Sequence, residues 1–481
     1  MNRKAQILAV AMAALLASCT VGPKYTKPTV PVAPAYQEQP PASFQEANGW
    51  QTAKPADATL RGNWWEMFGD PQLTALEQQA AAANQTLKVS EANFRAARAQ
   101  IQYNRAGLYP TVSVAPSVSA NRISGYNPTG AQGYQYGLFT LPVDVSWDAD
   151  FWGRIRRTIA NAREQAQASA ADLENVKLQV QTDLAVDYFE ARSLDAEKQL
   201  LDDTVGAYQK ALQLTTNRYE GGVASKVEVA QAKAQLDQTQ AQDLDVTVAR
   251  AEYEHAIAVL AGKAPEGFTL AINPLHQAPP AIPTGVPSQL LERRPDIATA
   301  ERQVAAANEQ IGLAKAAFWP DLLITATGGL QSGSIVNWLS WPSRFWSVGP
   351  QLAETVFDAG RRRAQVESAE ANYDATVANY RQHALTAFQE VEDNLSTLRI
   401  LERESGIQHE ATVAAENSVQ LSMNRYKGGL VTYLDVVTAQ SIALTDERAD
   451  VDLMRRRMDA SITLIKALGG GWNVSQLPKL G

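Results

Sequence analysis

Few residues in this chain are of types that do covalent or metal chemistry, and their spacing gathers none of them into a site. The four histidines, His255, His276, His383 and His409, are scattered over 481 residues. There is no HExxH pair to hold zinc on one helix face, no Gly-x-Ser-x-Gly elbow and no glycine loop of the phosphate-cradling kind. Carboxylates are plentiful, but they recur along helix-forming stretches at the intervals of solvated faces. This pattern argues against an enzyme and implies no cofactor and no metal. One thiol remains, Cys19. It is the only cysteine, so it cannot form an intrachain disulfide.

The setting of Cys19 gives it a chemistry. Arg3 and Lys4 precede a short apolar run, Ile7 to Leu16, which is the order of an export signal. That run is about half the ~20 residues a membrane-spanning helix needs. It ends in Leu16-Ala17-Ser18-Cys19, which resembles a bacterial lipobox. Residues 1–18 then read as a signal peptide, and Cys19 as the palmitate-bearing N-terminus of a lipoprotein. By the same resemblance, Thr20 after the cysteine favours the outer membrane. Loss of Arg3 and Lys4 would take the net charge from −8 to −10. Nucleic acid is therefore no partner, since phosphate neutralisation needs a basic surface.

A second chemistry is that of recognition at tight turns. Gly221-Gly222-Val223-Ala224-Ser225 and Gly428-Gly429-Leu430-Val431-Thr432 each join two glycines to a small apolar residue. Glycine permits a left-handed turn and close backbone approach. The two turns belong to an internal repeat. Gly153-Arg154 recurs as Gly360-Arg361, and Asn217-Arg218-Tyr219 as Asn424-Arg425-Tyr426, both 207 residues on. Glu91, Ala97, Gln100, Ile101 and Pro110 recur as Glu301, Ala307, Gln310, Ile311 and Pro320, 210 on.

Proline positions set the elements of each copy. Residues 143–264 and 351–477 contain none, and they are rich in Ala, Gln, Glu and Leu, the composition of long helices. The reading is an anchor and extended linker over 19–60, then a first repeat over 61–264. That repeat has a helix over 73–107, a β-hairpin over 109–150, a long helix over 155–217 and a helix over 226–261. A proline-rich linker covers 265–288. The second repeat, 289–470, has a helix, a hairpin over 320–357, a long helix over 361–424 and a helix over 433–468. A tail follows over 471–481.

The hairpins alternate with period two. Val112, Val114, Pro116, Val118 and Ala120 share one face, as do Phe139, Leu141, Val143, Val145 and Trp147; the opposite faces are mostly Ser, Thr and Asp. The second hairpin is weaker: Leu322, Ile324 and Ala326, then Val348, Pro350 and Leu352, with Glu354 standing where the first copy has Trp147. Strands of about 10 residues suit an outer-membrane barrel, and six of the ten tryptophans lie in or beside them, as aromatic girdles do. Four strands cannot close a barrel, because barrels begin at about eight. The chain must therefore oligomerise, and twelve strands from a trimer leave room for an aqueous lumen. Each long helix would span roughly 95 Å, and two shorter helices stacked end to end would match it.

With these residues in place, the chain is similar to the TolC-like outer membrane factors, specifically the lipoprotein branch serving resistance-nodulation-division efflux pumps. The similarity rests on Cys19-Thr20-Val21-Gly22-Pro23-Lys24-Tyr25, on Trp64-Trp65 with Phe68, Asp70-Pro71 and Leu73, and on Leu290-Leu291 with Arg293-Arg294-Pro295-Asp296-Ile297. Phe357-Asp358 before Gly360-Arg361 and the paired Arg-Tyr-x-x-Gly turns complete it. It implies a mixed α and transmembrane β fold: a homotrimer with a 12-stranded barrel on a helical tunnel that projects into the periplasm. It implies, as partners, outer-membrane lipid, a periplasmic adaptor (membrane fusion) protein and an inner-membrane pump. The function implied is the exit duct of a tripartite efflux system for drugs or other small molecules, with a protein-secretion channel or an adaptor-independent porin as alternatives. The adaptor would dock on Gly221, Gly222, Val223, Ser225, Gly428, Gly429, Leu430 and Thr432. Tyr426, Glu228 and Asp435 would close the tip. Thr438 replaces a second ring aspartate, and Val431 a latch arginine.

Overall fold

The structure is a computed structural model that describes residues 21–41, 62–126, 133–285 and 287–480. Cys19 lies outside the described residues. The extended segment 21–41 straps the outside of the helices. The Val21 amide donates to the Trp152 carbonyl (3.3 Å), and Arg157 donates to the carbonyls of Val21 (2.9 Å) and Pro23 (3.1 Å). Tyr25 bonds Glu301, and the Gln37 and Glu38 amides both donate to Glu392 at 2.8 Å.

Helices α1 (Pro71–Ala83) and α2 (Gln85–Ala106) replace the single helix expected over 73–107. Asn84 breaks it. Its side chain accepts from the Leu87 amide at 3.0 Å, capping α2, because a short polar side chain competes with the helix ladder. Strands β1 (Thr111–Val114), β2 (Ser117–Arg122) and β3 (Gln135–Asp148) follow. Long α3 (Arg154–Glu220) and shorter α4 (Lys226–Leu260) complete the first repeat. The second repeat holds α5 (Pro295–Ala316), β4 (Asp321–Ser332), β5 (Arg344–Ala353), α6 (Arg361–Lys427) and α7 (Tyr433–Ala467). The paired long helices have 67 residues each, about 100 Å at 1.5 Å per residue.

All strands form one antiparallel sheet. β1 and β2 pair with β3, β3 with β4, and β4 with β5. The strand expected over residues 111–120 is interrupted at Ala115-Pro116, which lie across from Pro142 and Leu141 of β3, and neither proline can donate to the ladder. The register puts cross-strand neighbours on shared faces. Val112 faces Val145, Val145 faces Ala326, and Ala326 faces Val348; Trp147, Ile324 and Pro350 align likewise. The other face carries Asp144, Thr327 and Ser347, with Thr327 donating to Asp144 at 2.7 Å. β5 stops at Ala353, so Glu354 lies just past the strand rather than within it. Among the described residues, β1, β2 and β5 each have one paired side only. No helix among them is long and apolar enough to cross a membrane.

The main core lies midway along the helices, where Trp64, Phe68 and Leu73 pack with Leu184, Tyr188, Phe189 and Leu464. Asp70 caps α1 through the amides of Gln72 (2.8 Å) and Leu73 (3.1 Å), and it also accepts from the Tyr188 hydroxyl at 2.6 Å. Short helices meet end to end at two joints. In the first, Asn84 donates to the last carbonyl of α4, Leu260, at 2.9 Å. In the second, Arg294 grips Asp296 with two nitrogens (3.0 and 2.7 Å) and donates to the Ala467 carbonyl of α7 at 3.1 Å. Glycines make both joints possible. A Cβ on Gly262 would meet the Ala83 carbonyl at 2.6 Å, and one on Gly469 the Arg293 carbonyl at 2.1 Å.

Candidate functional site: the coil tip

Both turns at the far end of the helices follow the same local rules. In the first, Gly222 takes φ +72°, and the Val223 amide turns back to the Arg218 carbonyl at 2.8 Å, satisfying a helix-end acceptor. Ser225 then opens α4 with a capping box: its hydroxyl accepts from the Glu228 amide (3.4 Å), while Glu228 accepts from the Ser225 amide (3.2 Å). In the second, Gly429 has φ +74° and the Leu430 amide returns to Arg425 at 3.0 Å. The Thr432 amide and hydroxyl donate to Asp435 at 3.1 and 2.8 Å. Val223 and Leu430 project into solvent, 70% and 75% exposed. A side chain on Gly222 or Gly429 would meet nothing within 4 Å, so backbone conformation alone selects glycine there.

Behind the turns the repeat is used asymmetrically. Tyr219 is 44% exposed, whereas its counterpart Tyr426 is 2% exposed. The Tyr426 hydroxyl donates to Glu228 at 2.9 Å, linking the end of α6 to the start of α4. Arg218 lies over the Tyr426 ring, 4.6 Å from its centroid, and donates to the Lys427 carbonyl at 3.1 Å. Tyr433 meets the same ring edge-on at 5.2 Å. Ala211, Ala232 and Val436 complete the packing. Burial raises the Tyr426 hydroxyl, and the Glu228 hydrogen bond adds to that; burial also pushes Tyr433 up to about 12. The hydroxyl of Tyr426 therefore stays protonated and a donor.

Thus Glu228 and Tyr426 come together, while Asp435 sits apart on the exposed start of α7. Thr438 is exposed and bonds its own helix at Leu434 (2.9 Å). Arg218 and Tyr433 were not foreseen as tip residues. The duplicated Asn-Arg-Tyr triplet flags both copies equally and cannot say which copy turns inward. Among the described residues, no group of His, Cys, Asp and Glu could hold a metal.

This geometry joins one coil to the other. The sequence profile of the outer membrane efflux protein family matches residues 76–263 and 286–470, one stretch per repeat. The chain belongs to that family. It is an outer-membrane efflux channel protein, a transport conduit rather than an enzyme. It is 31% identical over 472 residues to the solvent efflux pump outer membrane protein SrpC of Pseudomonas putida, covering 96% of this chain and 97% of SrpC. It is likewise 31% identical to the pyoverdine export outer membrane protein OpmQ of Pseudomonas aeruginosa, over 87% and 89% of the two chains. Among solved structures it resembles the outer-membrane channel OprN, with a TM-score of 0.85 and 28% identity over 94% of this chain and all of that one. The Vibrio cholerae outer membrane protein VceC gives 0.77 and 27% over 86% and 99%. The efflux channel fold, strands above a helical tunnel, is shared with them.

Proposed function

We propose that three copies of this chain close a 12-stranded barrel on a helical tunnel and form the exit duct of a tripartite efflux system. The observation that carries this is the sheet: one apolar face, one polar face and two edges that pair on one side only. An open edge in lipid leaves backbone groups unpaired, so neighbours must complete the circle. Trp147 and Trp152 with Trp319 lie at the helix end of the sheet, and Trp338, Trp341 and Trp346 toward the opposite end, as interfacial belts would.

In this reading a periplasmic adaptor protein docks on the exposed Val223 and Leu430 turns, and an inner-membrane resistance-nodulation-division pump delivers small apolar or amphipathic molecules. SrpC and OpmQ bear the names of solvent efflux and pyoverdine export, which supports small-molecule cargo. Cys19 carries the lipid anchor. The Tyr426–Glu228 bond, with Arg218 over the ring, holds the tip closed. Asp435, repeated about a three-fold axis, narrows the lumen and favours cations. The test is native mass spectrometry of the purified mature protein combined with planar-bilayer recording. A trimer that conducts is expected; a water-soluble monomer that makes no pore overturns the proposal.

A further inference from the structure

Every layer of the molecule ends on the same two parts of the chain. The sheet runs from β1 and β2 through β3 and β4 to β5. Beside it the helices stand in the order α2, α3, α5, α6, and toward the tip in the order α4, α3, α7, α6. One end of each row is first-repeat chain and the other end is second-repeat chain. Copies that meet end to end therefore bring α6 of one against α2 of the next, a head-to-tail contact of the kind that closes rings. Since α2 leads into the sheet and α6 leaves it, the two meet antiparallel.

The charges on these two end helices are complementary. After Glu91, α2 carries Arg95, Arg98 and Arg105 and no acid; between Arg363 and Arg381, α6 carries Glu367, Glu370 and Asp374 and no base. Both stretches lie within about 30 Å of the sheet at 1.5 Å per residue. All six side chains are exposed. Glu370 holds Lys315 at 2.9 Å, but among the described residues Arg95, Arg98, Arg105, Glu367 and Asp374 have no ion-pair partner. Lys479 lines a cleft with Arg95 and Arg98 and adds a further cation there.

The free faces place these charges where a neighbour meets them. α2 buries Leu87 and Ile101, and on its opposite side Val89, Ala92, Ala96, Ala99 and Tyr103 are exposed at steps of three and four. α6 buries Tyr380 and Ala384 and exposes Ala364, Ala371, Ala375 and Ala378 in the same rhythm. Arg95, Arg98, Glu370 and Asp374 each immediately precede a residue of these stripes, and so flank them on one side. In an antiparallel pair those two sides fall on the same face of the wall. Charges flanking such a seam set partner choice and orientation.

We infer that α2 of one protomer docks on α6 of the next along this seam, with Arg95 and Arg98 against Glu367 and Asp374, and that this charge pairing keys the head-to-tail contact. The inference rests on the ring of copies proposed above and adds which helices meet and by what chemistry. A copy placed the other way, α2 on α2 or α6 on α6, sets arginines against arginines or acids against acids. Charge of this kind selects the orientation more than it raises the affinity.

The test is native mass spectrometry of the full-length protein in a non-ionic detergent at low ionic strength, beside cysteine cross-linking. Arg95→Glu with Arg98→Glu should lower the trimer-to-monomer ratio at least tenfold, and Glu367→Arg with Asp374→Arg should do the same. All four changes together restore opposite charges across the seam and should return the ratio to within threefold of wild type. These side chains are exposed, and an unchanged circular dichroism spectrum verifies the fold of each variant. Ala96→Cys combined with Ala371→Cys or Ala375→Cys should give covalent dimers and trimers with a short bismaleimide, and each of these cysteines alone should give none. Single-sided reversals that assemble as well as a trimeric wild type, or a fourfold variant that stays dissociated, overturn this inference and leave the ring standing. Cross-linking through one of these cysteines alone overturns the head-to-tail contact. A wild type that forms no oligomer overturns both readings.

Discussion

Glu77 on α1 is 0% exposed, and neither of its carboxyl oxygens has a hydrogen-bond partner among the described residues. It lies on the same face of α1 as the core residues Leu73, Leu76 and Ala80. Desolvation pushes its pKa up to about 9, against 4.5 for the free group. The folded protein therefore holds the proton across that range, and the unfolded chain releases it. Stability is greatest below pH 4.5 and is lost as pH rises toward 9. Each pH unit is worth ~1.4 kcal/mol, so at pH 7.5 the cost is on the order of 4 kcal/mol. Glu77→Gln keeps the shape and removes the titration. It should stabilise the protein by ~4 kcal/mol at pH 7.5 and by close to nothing at pH 4.5. Glu77→Leu removes the unpartnered polar atoms as well, worth a further ~1–3 kcal/mol at every pH. Thermal unfolding of wild type and both variants between pH 4.5 and 8.5 measures this. The Gln and wild-type curves should diverge steadily with pH. Parallel curves would mean that Glu77 is ionised or partnered in the folded protein, and the burial argument would fail.

Three other outcomes follow from the geometry. Tyr426→Phe with Glu228→Ala removes a charge-assisted bond worth ~1.5–3 kcal/mol while keeping the ring on Arg218 and Tyr433, so single-channel conductance should rise; unchanged conductance removes the latch. Gly469→Ala should destabilise the α5–α7 joint by ~1–3 kcal/mol from its φ of +90° alone, with more from the clash on Arg293, whereas Gly222→Ala meets no neighbour and should cost less. Denaturant midpoints for the pair would show the order, and equal midpoints would refute it. Cys19→Ser should abolish incorporation of labelled palmitate; retained label would place the anchor elsewhere.

Much of the architecture was legible in the sequence because its signals are local and periodic. Period two assigned the faces of the strands, and the register bears out Val112, Val145, Ala326 and Val348 on one side. Absence of proline marked the long helices, and a fixed offset exposed the duplication. The Trp64-Trp65 and Arg293-Arg294-Pro295-Asp296 signatures could be recognised but not explained. In the structure the first packs the mid-height core and the second clamps a helix joint.

What the sequence alone determined was the long helices, the duplication and the two faces of the strands, since these depend on neighbours two to four residues apart or on a fixed offset. The repeat pattern by itself does not say which copy turns inward; the family resemblance named Tyr426, and the structure buries Tyr426 while leaving Tyr219 exposed. Only the tertiary structure decided that Asn84 divides a helix to cap one half and hold another, and that Glu77 is sealed from water. The physical reason is the same in each case. Desolvation and pairing depend on atoms brought together from hundreds of residues away, and two identical triplets carry no record of which one will be covered.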